Sequence, residues 1–305
     1  MKKRHFLSLL TISTLTACST MNNSNNSLLQ SNASSEEPVV SENNKKIKIA
    51  LALGGGASKG FAHIGVLKAL EANGINAEIV TGTSAGAIVG SLYAYGMSVD
   101  RMELEAEILE KKKVADLTLS KKGFIVGKKL ENFINEKVRQ TPIQKFKKRF
   151  AAVATDLDTG KTIAFNNGNA GMAVRASASI PNVFQPVEIG GRRYVDGGMS
   201  QPVPVTAAKK LGADVVIAVD ISARPKEQKN DGFFSFLNQS ITIMSLSALE
   251  HELSQADVVI KPDVLELGSL GGFEQRHKAI AAGEKATLKV MSQIKQVIER
   301  KSKIK

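Results

Sequence analysis

Gly82-Thr83-Ser84-Ala85-Gly86 stands between a strand-like run, Ala77 to Val80, and a helix-like run, Ala87 to Tyr95. This spacing predicts a nucleophile elbow, a tight strand-to-helix turn that exposes a serine hydroxyl. The glycines flank Ser84 because side chains there would clash inside so sharp a turn. The helix that follows aims unpaired amides and partial positive charge at the serine. G-x-S-x-G by itself is also what a Gly-Ser loop ahead of a helix gives; the strand before it and the helix after it favour the nucleophile.

Outward from this turn, strand-length and helix-length runs alternate. Ile47 to Leu53 reads as a strand, Lys59 to Ala72 as a helix, and Val99 to Lys113 as an amphipathic helix. A further helix is expected within Phe124 to Val138. Strands are expected at Phe150 to Ala154 and Lys161 to Phe165, and a short helix at Met172 to Ser179. Val183 to Ile189 and Arg192 to Val195 form an expected hairpin around Gly190-Gly191. Then come a helix (Val205 to Leu211), a strand (Asp214 to Ile221), a helix (Ile241 to Leu253) and a strand (Asp257 to Ile260). One long C-terminal helix is expected from Glu274 to Ile298, and Pro225 to Phe236 reads as a polar surface loop. The alternation predicts an α/β fold with a mostly parallel sheet and helices on both faces.

Two further motifs carry chemistry. Gly54-Gly55-Gly56-Ala57-Ser58-Lys59-Gly60 follows the first strand and opens the first helix. Such glycines let backbone N–H groups face a ligand, as in an oxyanion hole. The rival reading is a dinucleotide-binding turn. Gly54 and Gly56 fit its first two positions, but the third falls on Lys59, with Gly60 one residue late and Glu78 as the acid. Asp196-Gly197-Gly198 lies just after the Arg192 to Val195 strand. By itself this is an ordinary turn, yet its carboxylate is free to project and to accept a serine proton.

In this order, Leu53 to Gly60, Gly82 to Gly86 and Asp196-Gly197-Gly198 resemble the patatin-like phospholipase family, as does Ala176-Ser177-Ala178-Ser179-Ile180-Pro181. The resemblance spans about Ile47 to Gly212. It implies a three-layer α/β/α fold and a Ser-Asp dyad without histidine. Ser84 is then the nucleophile and Asp196 the base, with Gly55 and Gly56 as oxyanion amides. Gly54, Lys59, Gly60, Gly82, Gly86, Gly197 and Gly198 support the motifs. Lys59 stands where the family usually has Arg, which keeps the charge and loses the planar fork. The implied substrate is a membrane lipid, with hydrolysis as the leading activity. Acyl transfer on the same site, or a non-catalytic lipid- or partner-binding role, are the alternatives. No cofactor and no metal are expected. Of the remaining histidines, His251 and His277 formally allow a triad order, but both fall in or beside helices. His63 lies on the first helix beside the glycine loop, where it is expected to help hold that loop.

The N-terminus reads as an export signal: Lys2, Lys3 and Arg4, then the apolar run Phe6 to Ala17. That run is shorter than the ~20 residues that span a bilayer. Leu15-Thr16-Ala17-Cys18 resembles a bacterial lipobox, which makes Cys18 the expected lipidation site. Cys18 is the only cysteine, so a disulfide within the chain is impossible. Residues 1–17 are thus a lipoprotein signal, 18–46 a lipidated Cys with a Ser/Asn-rich tether, and 47–305 a hydrolase domain. The domain divides into core motifs at 47–212 and an α/β extension at 213–305. The implied location is the bacterial cell envelope, at the periplasmic face of the outer membrane in a Gram-negative host, since Ser19 rather than Asp follows Cys18.

The formal net charge is +12, or +9 without Lys2, Lys3 and Arg4. Lysine runs at 111–113, 121–122, 128–129, 145–149 and 301–305 supply much of it and suit an anionic membrane surface. Each run taken singly is equally a solvated face. The export signal and the scarcity of aromatics among the lysines argue against nucleic acid.

Overall fold

The computed structural model describes residues 46–109, 126–225, 233–267 and 272–304. The chain divides into Met1–Asn43 and Asn44–Lys305, and all described residues belong to the second unit. Cys18, the signal, most of the tether, and the lysines at 111–113 and 121–122 lie outside the described residues.

Strand and helix alternate as expected. The strands are β1 (Ile49–Leu53), β2 (Ile79–Thr83), β3 (Arg149–Asp156), β4 (Thr162–Phe165), β5 (Val187–Ile189), β6 (Arg192–Asp196), β7 (Val215–Val219) and β8 (Val258–Ile260). The helices are α1 (Ala62–Ala72), α2 (Ala85–Tyr95), α3 (Val99–Ile108), α4 (Lys128–Lys137), α5 (Ala170–Ser177), α6 (Val205–Lys210), α7 (Phe233–Ser254), α8 (Arg276–Lys289) and α9 (Met291–Ile304).

The eight strands form one mixed sheet in the order β5-β6-β3-β2-β1-β7-β8, with β4 pairing β3. β3, β2, β1, β7 and β8 run parallel; β4 and β6 pair antiparallel with β3, and β5 pairs antiparallel with β6. Side-chain alternation assigns the two faces. Leu51, Leu53, Val80, Phe150, Ile217 and Val219 pack into one large core with α1, α2, α8 and α9. Ala50, Ala52, Ile79, Val216 and Ala218 face a smaller one with Val205, Ala208 and Leu249 of α6 and α7. Small residues on that second face bring α6 and α7 close to the sheet. The three layers expected from the sequence are therefore present.

Two expectations are corrected. The long C-terminal helix is two helices: the chain leaves the helix at Val290 (φ −107°, ψ 8°) and restarts at Met291. The predicted loop Pro225 to Phe236 ends early, because α7 already begins at Phe233. Four of the first five residues of α7, Phe233 to Leu237, are apolar, so no polar stripe marks its start.

α1 and α8 cross with almost no side chain between them. A Cβ on Gly65 would lie 1.9 Å from the Ile280 carbonyl oxygen, and one on Gly283 2.0 Å from that of Ala62. Backbone cannot yield there as a flexible side chain does. Gly65→Ala is expected to cost about 3 kcal/mol or more, the upper range for overpacking. Gly74→Ala is the control. Its methyl meets no atom within 4 Å, so only the left-handed backbone (φ +76°) is strained, at about 1 kcal/mol. Urea unfolding of both variants measures the difference; equal losses would contradict the tight crossing.

Candidate active site

β3 sets the geometry of the site. Its residues 149–153 pair with β2 on one edge, and β4 pairs along 152–155 on the other. β6 overlaps β4 at Ala154 and Thr155, so it must occupy the same edge as β2. Thr83 pairs with Val153, and Asp196 pairs with Ala154. β2 and β6 therefore meet end to end on one edge, and their terminal residues deliver Ser84 and Asp196 to one point.

Ser84 turns the chain sharply. It sits at φ 52° and ψ −117°, a region costly for a non-glycine residue, at about 1–3 kcal/mol. The turn folds α2 tightly back: a Cβ on Gly86 would lie 2.0 Å from the Leu53 carbonyl oxygen, and one on Gly82 2.4 Å from that of Gly86. The Ser84 carbonyl accepts from the N–H groups of Ala87 (2.9 Å) and Ile88 (3.2 Å), which starts α2. The Ser84 N–H donates to Ser177 Oγ at 3.0 Å, and that hydroxyl donates to the Val153 carbonyl at 2.5 Å.

Asp196 is held from the same segment. Its N–H donates to the Ser179 carbonyl at 2.9 Å. Ser177 and Ser179 thus tether the two site residues from one short stretch. Neither was assigned a role from the sequence, although the Ala176 to Pro181 motif was the signal that contained them. Asp196 Oδ1 accepts the Gly198 N–H at 2.7 Å. Oδ2 is buried without a well-formed hydrogen bond. The Ser84 hydroxyl is nonetheless close enough to favour the carboxylate's charge. Burial outweighs both contacts and pushes the Asp196 carboxyl up to about 6.

The glycine loop lies opposite. The Gly55 N–H, an expected oxyanion donor, is committed to the Pro202 carbonyl at 3.0 Å, and the Gly54 N–H to Val219 at 3.0 Å. This corrects the assignment of Gly55. The N–H groups of Gly56 and Ala57 make no hydrogen bond among the described residues, and both residues line the cavity at Ser84. Gly55 still matters in another way, since its backbone passes Ser84 closely: an added Cβ would stand 3.3 Å from that of Ser84. Lys59 is buried in the turn Ala57–Phe61 that follows. His63 buttresses the loop from behind, with Nε2–H donating to the Gly54 carbonyl at 2.8 Å. Complete burial lowers its pKa to about 4, so the imidazole is neutral.

Ser84, Asp196, Gly55, Gly56, Lys59 and Gly198 share one cavity of about 170 Å³. Ile180, Pro181 and Met199 supply apolar wall, and Ile241, Thr242, Ser245 and Leu249 of α7 close it over. No histidine is among the residues lining it. His251 pairs with Gln255 near the exposed end of α7, and His277 lies on α8. A larger cleft of about 430 Å³ between α3 and α4 contains none of the site residues.

The profile of the patatin-like phospholipase family matches residues 51–209, more than half of the chain. The chain belongs to the patatin-like phospholipase family. Among curated relatives, an uncharacterized NTE family protein of Mycobacterium bovis is 35% identical over 178 residues, 57% of this chain and 49% of that one. Lysophospholipase NTE1 of Debaryomyces hansenii is 32% identical over 181 residues, again 57% of this chain but 12% of the relative. The chain thus spans about half the length of the first of these and a small part of the second. Among solved structures, VipD from Legionella pneumophila aligns with a TM-score of 0.48 and 15% identity, over 83% of this chain and 67% of that one. The matched span in this patatin-like chain runs from β1 into α6, so it includes all three motifs of the site.

Burying Asp196 has a measurable cost. Between the ordinary Asp value near 4 and about 6, the native protein holds a proton that the unfolded chain releases. Stability therefore falls as pH rises through this window, by about 3 kcal/mol in all. Asp196→Asn is expected to raise the urea midpoint at pH 7.5 and to lose most of that advantage near pH 4. An equal difference at both pH values would show that the charge is not the cause.

Proposed function

We propose that this chain is a serine acyl hydrolase that cleaves ester bonds of membrane lipids with a Ser84–Asp196 dyad. The observation that carries this reading is a strained, buried serine hydroxyl beside a carboxylate that ionises near neutral pH. At pH 7 most of Asp196 is ionised and available as a base. Ser84 Oγ attacks the acyl carbonyl carbon, and its proton passes to Asp196. The N–H groups of Gly56 and Ala57 face the developing oxyanion. Asp196 returns the proton to the departing alcohol oxygen, which leaves the acyl group on Ser84. Water then releases the acid, with Asp196 again accepting a proton. His63 holds the glycine loop and takes no part in proton transfer.

The substrate class follows from the family and from the relatives named as lysophospholipases: a phospholipid or lysophospholipid ester. The apolar walls at Ile180, Pro181, Met199 and Leu249 suit the acyl side of such an ester. Anchoring completes the proposal. Cys18 carries the lipid, the tether spaces the domain from the membrane, and the location is the cell envelope.

Ser84→Ala is expected to lower kcat on a short-chain nitrophenyl ester by several orders of magnitude. Asp196→Asn is expected to be nearly as damaging in a protein that is more stable, whereas His251→Ala and His277→Ala keep activity. The wild-type rate should fall on the acid side with a midpoint near 6, as Asp196 is protonated. Fluorophosphonate labelling should map to Ser84. Near wild-type activity in Ser84→Ala, or its loss in either surface histidine variant, would refute the dyad.

Cys18→Ser is expected to release the protein from membranes and leave hydrolysis of a soluble ester unchanged. Residual adhesion through lysine runs should wash off in high salt, since exposed charges are screened within ~8 Å at physiological ionic strength. A variant that stays with the membrane through that wash would show that another element holds it.

A further inference from the structure

The two most exposed large apolar side chains among the described residues are both on α7: Phe236 at 72% and Met244 at 62%. Ile243, also on α7, is 54% exposed. At roughly 100° per residue, these three fall within an arc of about 100° on the helix. Ile241, Ser245 and Leu249 fall on the opposite side and line the cavity at Ser84. One helix thus forms a wall of the candidate active site with its inner face and offers Phe236, Ile243 and Met244, with Ser240 and Ser247 in the same arc, to the surroundings.

The sequence of α7 makes that outer face unusual. No residue from Phe233 to Leu249 carries a charge, in a chain whose residues are 23% charged. The helix opens with Phe233-Phe234-Ser235-Phe236-Leu237, which holds three of the twelve phenylalanines. No helix among the described residues is long and apolar enough to cross a membrane. Exposed apolar side chains grouped in this way mark interaction surfaces, for a membrane or for another protein.

We propose that α7, which lines the Ser84 cavity, docks on the surface of a lipid bilayer through Phe236, Ile243 and Met244. This deepens the hydrolase reading and rests on it for the identity of the substrate. Two observations favour lipid over a second copy of the chain. The helix that carries the face also lines the cavity at Ser84, whose proposed substrate is a lipid ester. The chain carries a net charge of +9 without Lys2, Lys3 and Arg4 of the proposed signal, which complements anionic headgroups and opposes close approach of a like-charged copy.

The chain has no tryptophan, so Phe236→Trp places a single reporter on the face. The lipid-anchored full-length variant is mixed with vesicles of phosphatidylcholine containing a minority of phosphatidylglycerol. The anchor keeps the protein on the vesicle throughout, so the signal reads only where α7 lies. The expected result is a blue-shifted emission, quenched by brominated acyl chains and persisting in high salt. An emission unchanged by vesicles overturns the proposal. So does a blue shift that appears without lipid and grows with protein concentration, because a second copy then covers the face.

A second variant, Ile243→Ser with Met244→Ser, leaves every cavity residue in place. It is expected to lower hydrolysis of vesicle phospholipid by about tenfold or more while hydrolysis of a soluble nitrophenyl ester stays within about twofold. Equal loss on both substrates, or no loss on vesicles, overturns the link between docking and turnover. If the parent protein hydrolyses neither substrate, the hydrolase reading fails, and the emission of the Phe236→Trp variant still decides whether α7 meets lipid.

Discussion

The site depends on one edge of β3 being shared by two strands that arrive from opposite directions. β2 runs parallel to β3 and stops at Val153; β6 runs antiparallel and stops at Ala154. Ladder hydrogen bonds fix both registers, and a slip of one residue would turn either terminal side chain to the wrong face. Ser84 and Asp196 lie far apart in the chain. Their proximity is therefore a property of backbone pairing rather than of any side-chain contact. Ser177 and Ser179 then lock the two N–H groups from α5 and its C-terminal turn, adding short hydrogen bonds to an arrangement the sheet has already made.

Around that junction the protein tolerates features that would be unfavourable elsewhere. Ser84 occupies a strained backbone region. Asp196 is buried with one oxygen poorly satisfied, and His63 is buried with Nδ1 unpartnered. Each destabilises by an amount of order 1–3 kcal/mol, and together they mark where packing elsewhere is spent on chemistry. The large core on one face of β1, β2, β3 and β7 supplies that support, with Leu51, Leu53, Phe150 and Ile217 fully buried.

Most of the fold was legible in the sequence because its signals are local. The elbow, the glycine loop and the Asp196 turn each carry their own glycines, and the alternation of runs gave the mostly parallel sheet. Where the reading missed, the deciding contact was distant or the local signal was silent. Nothing near Gly55 shows that its N–H is taken by Pro202, because the partner comes from a turn on the far side of β6. Val290 breaks the C-terminal helix without Gly or Pro. α7 hid its start because Phe233 to Leu237 follows a polar stretch and has no polar stripe. Ser177 and Ser179 stood inside a quoted motif, but their targets belong to β3, β6 and the elbow.

The cavity at Ser84 holds about 170 Å³, below the 300–1,000 Å³ or so of pockets that enclose a whole small ligand. Anything larger is gripped at one end only, and the remainder stays in whatever medium it came from. For the proposed ester substrate, the walls at Ile180, Pro181, Met199 and Leu249 then meet the part nearest Ser84. Groups several carbons further out extend past the described residues that line this cavity. A narrow socket of this kind reads the first few atoms of a molecule.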